Sequence, residues 1–279
     1  ILISNDLDTL LPNYLISKKL NIPLVYDSHE IFTEMPAING RFTQKIWRRL
    51  EQWIVPKLKY MMTASESYAD WFHETYHIER PVAVQNFPRK TVNPQDYTES
   101  NSKKIILYQG VINPSRGLDK MIPAMKFIEN AEFWIAGDGP KNEEYFRLTE
   151  SLGLAHKIKF LGKLPPEKLR TITPKADVGL SIEENNGLSY FYSMPNKISD
   201  YIQCRVPVVV SDFPEMRKVV DVFESGEKIA DYSELADKVN KVLQNGKLFY
   251  KDSLNNAATC LCWEKEEPKI LALFHKIPS

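Results

Sequence analysis

The chain has 279 residues, 43% of them hydrophobic and 26% charged, enough to bury a sizeable core in one large domain or two ordinary ones. Thirty-six basic residues balance thirty-six acidic ones, so no global field gathers nucleic acid or an anionic membrane, and any anion site must be local. Three cysteines, Cys204, Cys260 and Cys262, are too few for a disulfide framework and lack zinc-site spacing, which points to a reducing, cytoplasmic setting with no metal centre.

In chain order, short β-rich runs alternate with longer helical patterns. "ILIS" opens the chain without a methionine, and "PLVYD", "MMTAS" and "VAVQN" follow. After a polar gap come "KIILYQG", "EFWIAG", "IKFLG", "DVGLSI" and "VPVVVSD". Helical patterns include 42–58, 117–127, 142–152, 166–172 and 195–203. Such alternation predicts βαβ units, hence an α/β fold with parallel sheets. The segment 86–104 holds two prolines and no apolar periodicity, so it reads as a hinge. The predicted organisation is an incomplete first domain over 1–92 with four strands and a doubly wound domain over 103–255 with five strand–helix repeats. A tail over 256–279 contains a helical pattern that either crosses back to the first domain or caps its own.

The chemistry-bearing stretches sit at strand ends. In "KIILYQGVINPSRGLDKMI" a strand ends at Gly110 and a helix opens near Gly117, which puts Arg116 beside helix-terminal amides, an anion site. A solvated surface arginine is the competing reading. Neither a dinucleotide fingerprint nor a P-loop is present. In "SMPNKISDYI", Pro195 suits the first turn of a helix capped by Ser193 or Met194, and Asn196, Lys197 and Asp200 follow. Lys197 and Asp200 lie about 4.5 Å apart along the axis, a spacing that suits a diphosphate and its ribose, or equally a surface ion pair. Gly137 and Gly139 in "WIAGDGP" read as turn glycines or as backbone facing a nucleotide. His29 in "YDSHE" reads as a strand-end histidine with a structural hydrogen bond.

Together, "YDSHE", "NFP", "LYQGVINPSRGLDKMIPAM", "WIAGDGP", "KFLGKLPPEKL", "MPNKISDYI" and "VPVVVSDFPEM" resemble, in this order, the retaining, nucleotide-sugar-dependent glycosyltransferases of family 4, with the two Rossmann-like domains of the GT-B fold. The resemblance implies transfer of a sugar from a nucleoside-diphosphate donor to a glycan or lipid-linked acceptor, with no essential metal. It assigns the diphosphate to Arg116 and Lys197, the ribose to Asp200, the base to the Leu164 backbone, and the transferred sugar to His29. Gly110, Gly137 and Asn196 join the nucleotide contacts. Three departures stand out: Val111 replaces a second arginine, Tyr192 replaces the first acid of the E-x7-E motif with Glu183 or Glu184 as candidate substitutes, and family members carry residues ahead of Ile1. The alternative expectation is a non-catalytic sugar-nucleotide-binding or assembly subunit. Finally, 41–60 joins Trp47 and Trp53 to Lys45, Arg48, Arg49, Lys57 and Lys59, and reads either as a helix packing both tryptophans on the sheet or as a peripheral membrane contact.

Overall fold

The computed structural model describes residues 1–91 and 103–278. Most of the predicted 86–104 hinge therefore lies outside the described residues. The elements alternate as β1 (Leu2–Asn5), α1 (Asp6–Leu20), β2 (Leu24–Ser28), α2 (Phe42–Ile54), β3 (Tyr60–Thr63), α3 (Glu66–Tyr76) and β4 (Val82–Ala83). They continue as β5 (Lys104–Gln109), α4 (Leu118–Ala124), β6 (Ala131–Ala136), α5 (Asn142–Ser151), β7 (Ile158–Gly162), α6 (Pro166–Ile172) and β8 (Val178–Ser181). After the short α7 (Leu188–Phe191) come α8 (Asn196–Gln203), β9 (Val208–Ser211), α9 (Pro214–Phe223), β10 (Gly226–Ile229), α10 (Leu235–Phe249), α11 (Lys251–Cys260) and α12 (Trp263–His275).

Contacts divide the chain into two compact units. One comprises Ile1–Asn86, Asn185–Met194 and Trp263–Ser279; the other comprises Phe87–Glu184 and Pro195–Cys262. Two boundaries differ from the sequence reading. Residues 185–194 join the first unit, anchored there by hydrogen bonds from the Ser65 hydroxyl to the Tyr192 carbonyl and from the Tyr68 hydroxyl to the Ser189 carbonyl. Residues 256–262 stay with the second unit, because α11 packs on α8 and α9.

In the first unit four parallel strands run in the order β1-β2-β3-β4. Alternation along each strand feeds two faces. Tyr26 and Met61 pack with Leu7, Leu10, Ile54 and Phe72, while Val25, Tyr60 and Met62 pack with Leu273 and Ile277 near the chain end. Helix α1 has Pro12 inside it and apolar residues on more than one side, so periodicity announces it poorly.

The second unit has six strands rather than five, in the order β10-β9-β8-β5-β6-β7 with every pair parallel. Ile105 to Tyr108 and Val208 to Val210 are all buried, as expected for a sheet covered on both faces. The unforeseen strand, "GEKI", lies at the edge, where polar residues replace the apolar run that marks an interior strand. Read from β7 to β10, this is the 3-2-1-4-5-6 order of a doubly wound sheet. It reverses direction between β5 and β8, and that reversal positions the site.

Candidate functional site: the switch point between β5 and β8

Strands β5 and β8 pair through Ile106 and Leu107 opposite Val178 and Gly179. Connections leave them in opposite directions, so a crevice opens at their carboxyl ends, where ligands bind in open α/β sheets. Arg116 arrives there from the loop after β5, Glu183 lies two residues past the end of β8, and Lys197 comes from the first turn of α8. The Arg116 guanidinium is 2.5 Å from Glu183 Oε2, and the Lys197 ammonium is 2.9 Å from Oε1. One carboxylate thus joins the two predicted cations.

The Glu183 side chain is only 1% exposed and that of Lys197 10%, so the cluster is largely dry. Burial pushes the Glu183 carboxyl up, but the Lys197 and Arg116 charges outweigh it and hold the group below the usual carboxylate range. Burial also pushes the Lys197 ammonium down from its ordinary value, against the pull of Glu183. The backbone fixes the carboxylate in place. Glu183 N–H donates to the Ser211 hydroxyl at 2.7 Å, and its carbonyl accepts from the Ser211 and Tyr232 hydroxyls at 2.8 and 3.1 Å. Lys197 further lies 4.5 Å from the centre of the Tyr108 ring, a cation–π contact. Glu183 had been a candidate reader of sugar hydroxyls; with both its oxygens on cations, it anchors those cations instead.

The helix carrying Lys197 starts one residue later than expected. Pro195 is itself the capping residue, extended at ψ 129°, and Asn196 begins α8. No i,i+3 ion pair forms on it, because Lys197 turns to Glu183 while Asp200 accepts a hydrogen bond from Gln109 Nε2 at 3.1 Å. Burial pushes the Asp200 carboxyl up, opposed by that bond and by Arg170. Gln109 is held in turn by the Thr173 hydroxyl at 2.8 Å. Sequence reasoning missed Gln109; its signal was a polar residue ending an apolar strand. Asn196 is exposed, and its carbonyl accepts from Ser199.

Tyr201 seats the helix. Its ring lies where a Cβ on Gly179 would stand, 2.4 Å from the ring carbon, so β8 must carry glycine there. The Tyr201 hydroxyl accepts from Gln109 N–H at 3.0 Å and donates to the Leu107 carbonyl at 3.1 Å. Gly117 opens α4 at φ 71°, a conformation that favours glycine.

Beside the cluster a cavity of about 460 Å³ is lined by Gly110, Val111, Gly137, Lys163, Leu164 and Leu169. Its size suits a small-molecule ligand. The structure brings the predicted Gly110, Gly137 and Leu164 together there. Gly137 also has a packing reason: a Cβ would fall 1.8 Å from the Gly110 carbonyl oxygen, so the loops after β5 and β6 meet backbone to backbone.

His29 belongs to the first unit, just past β2. Its Nδ1 and Nε2 lie 3.2 Å from Asp6 Oδ2 and Asp27 Oδ2, and its N–H donates to Asp6 Oδ1 at 2.9 Å. The ring is therefore oriented by two carboxylates while 55% exposed. Tyr192 also lies in the first unit, whereas Arg116, Lys197 and Asp200 lie in the second. Among the described residues, no group of three or more His, Cys, Asp or Glu side chains could hold a metal ion, and the three cysteines are free thiols.

The family described as "Glycosyl transferases group 1" matches residues 89–258, the whole span from Arg116 to Asp200 included. The chain belongs to the group 1 glycosyl transferases. Among curated relatives, the phosphatidylinositol N-acetylglucosaminyltransferase GPI3 subunit of Saccharomyces cerevisiae (strain YJM789) is 34% identical over 107 residues, covering 36% of this chain and 24% of its own length. The match thus spans about a quarter of that relative. Two solved structures share the fold at 15% identity. Sucrose-phosphate synthase from Thermosynechococcus elongatus has a TM-score of 0.78, covering 98% of this chain and 72% of its own. Anabaena Alr3699/HepE in complex with UDP has a TM-score of 0.77, covering 99% and 79%. The fold is thus the α/β, parallel-sheet architecture of GT-B glycosyltransferase structures. Among its described residues no helix is long and apolar enough to cross a membrane.

Proposed function

We propose that this glycosyl transferase moves a sugar, with retention of configuration, from a nucleoside-diphosphate donor to a glycan or lipid-linked acceptor. One observation carries the reading. Two cations from separate elements converge at the switch point on a single buried carboxylate. A glycosyl–phosphate bond breaks through an oxocarbenium-like state while negative charge builds on the departing diphosphate. Arg116 and Lys197, already positioned, stabilise that charge more strongly in the transition state than in the bound donor. Glu183 lowers the cost of holding two cations in a dry crevice and leaves the cluster one positive charge for the diphosphate. Asp200, oriented by Gln109, takes the ribose hydroxyls, and the cavity at Leu164 takes the base. The transferred sugar is assigned to His29, whose ring Asp6 and Asp27 orient, on the family resemblance. The UDP named with HepE supports a nucleotide donor, and the GPI3 relative's name supports a lipid-borne acceptor. No side chain is assigned as nucleophile or base, and no metal is required, so activity is expected to survive EDTA.

Calorimetry with UDP, GDP and ADP and their sugar conjugates, followed by assays of transfer and hydrolysis, tests the proposal. Lys197→Ala should weaken nucleotide binding about ten- to a hundredfold, the loss of one charge-assisted hydrogen bond. Unchanged affinity would refute its role. A second reading, a sugar-nucleotide-binding subunit, is favoured by Tyr192 in place of the first motif acid. Nucleotide binding with neither transfer nor hydrolysis would select it.

A further inference from the structure

Elements β5, α6 and α8 meet at Gln109, the last residue of β5. Its side chain and that of Thr173, which follows α6, are both buried. The Gln109 N–H donates to the Tyr201 hydroxyl at 3.0 Å, so the base of the side chain is pinned from α8. At its tip, Nε2 donates to Asp200 Oδ2 at 3.1 Å, and Oε1 accepts from the Thr173 hydroxyl at 2.8 Å. Asp200 is half-buried, and its Oδ1 has no hydrogen-bond partner among the described residues; Arg170 on α6 acts on the carboxylate through charge alone. One carboxylate oxygen is thus held by the protein, and the other is left for a ligand.

Counting protons gives this chain of bonds its direction. A side-chain amide presents donors on one side and an acceptor on the other, whereas an ionised carboxylate only accepts. Asp200 therefore takes the NH2 side, in a charge-assisted bond, and turns Oε1 towards Thr173. The Thr173 hydroxyl has one proton and two acceptors within reach, Gln109 Oε1 and the Leu169 carbonyl at 2.9 Å. That carbonyl already accepts the Thr173 backbone N–H, so the hydroxyl proton goes to Gln109. Without it, Oε1 is a buried acceptor with no donor, and the amide loses the contact that holds its sense. Thr173 thus orients Gln109, and Gln109 orients Asp200.

We propose that Thr173 is a positioning residue that, through Gln109, aims Asp200 Oδ1 at the donor's ribose and so makes the site select ribonucleotides over 2′-deoxyribonucleotides. The proposal rests on the nucleotide reading above and adds its sugar specificity. Titration of the intact chain with whichever of UDP, GDP and ADP it binds, and with the 2′-deoxy form of that nucleotide, tests it. The parent should favour the ribonucleotide about tenfold or more, because a site built to bond a hydroxyl rejects the analogue lacking it. Thr173→Val, close in shape but without the hydroxyl, should weaken the ribonucleotide about fivefold and change the deoxynucleotide by less than about twofold. Thr173→Ser should restore the preference. Gln109→Met should behave as Thr173→Val does, and Asp200→Ala should abolish the preference and leave nothing further for Thr173→Val to remove. Retained deoxynucleotide binding shows that each variant is folded. An equal loss of both nucleotides in Thr173→Val and Gln109→Met, a preference untouched by either, or a Thr173→Ser variant no better than Thr173→Val would overturn the proposal. A parent that binds nucleotide with no preference for ribose would overturn it and leave the nucleotide reading standing, whereas a parent that binds neither UDP, GDP nor ADP would overturn both.

Discussion

Glu183 has almost no water to solvate it and two cations to balance it, so its neighbours determine its worth. Glu183→Gln removes the buried carboxylate that both Lys197 and Arg116 contact. Breaking a buried pair in this way is expected to lower unfolding free energy by about 3–5 kcal/mol in urea titrations. Glu183→Gln combined with Lys197→Met should cost less than the two single changes summed, because the second removes a charge the first has orphaned. Glu51 offers a pH test. Burial, opposed by hydrogen bonds from Tyr76 and Thr33, pushes its carboxyl from 4.5 up to about 7. The folded state therefore holds this proton more tightly than the unfolded chain between those values. Stability should fall as pH rises through the window, by about 3 kcal/mol in all, and level off above it. Glu51→Gln keeps an acceptor for Thr33 and Tyr76, and should flatten the slope between about pH 5 and about pH 8.

At the scale of elements, burial rather than residue type separates the two tryptophans of α2. Trp47→Ala removes a ring packed on the core and should cost about 2 kcal/mol or more, whereas Trp53→Ala, on the exposed face, should cost well under half of that. Denaturation midpoints read the difference directly. The loops after β5 and β6 meet through Gly137, where an added methyl would overlap the Gly110 carbonyl. Gly137→Ala should destabilise by about 1–3 kcal/mol and weaken nucleotide binding, since the same loops line the cavity. Helix α8 owes its placement to Tyr201. Tyr201→Phe removes the acceptor of the buried Gln109 N–H, at an expected cost of about 1–3 kcal/mol, and loosens the helix that carries Lys197 and Asp200.

For the whole molecule, the proposed nucleotide contacts other than His29 fall in one compact unit. A nucleotide at a hundred times its Kd should stabilise that unit by about 2.7 kcal/mol. In hydrogen exchange the gain should concentrate in β5, β8 and the start of α8; protection confined to the first unit would contradict the assignment. The helix α12, which buries Leu273 against β2 and β3 of the first unit, shows how far a covering element can lie in sequence from what it covers.

The sequence by itself determined the α/β class, most element positions and the candidate residues Arg116, Lys197 and Asp200, because apolar periodicity, strand-end glycines and helix-opening residues are local signals. It also marked the strand ends as the place for chemistry. Only the tertiary structure decided that Glu183 lies between Arg116, 67 residues away, and Lys197, that Gln109 orients Asp200, and that Trp53 faces outward while Trp47 packs inward. Those facts depend on strand order and on which face of a helix meets the sheet. A carboxylate's partners, and so its charge and its role, are set by what folding brings within a few ångströms, which no spacing along the chain records.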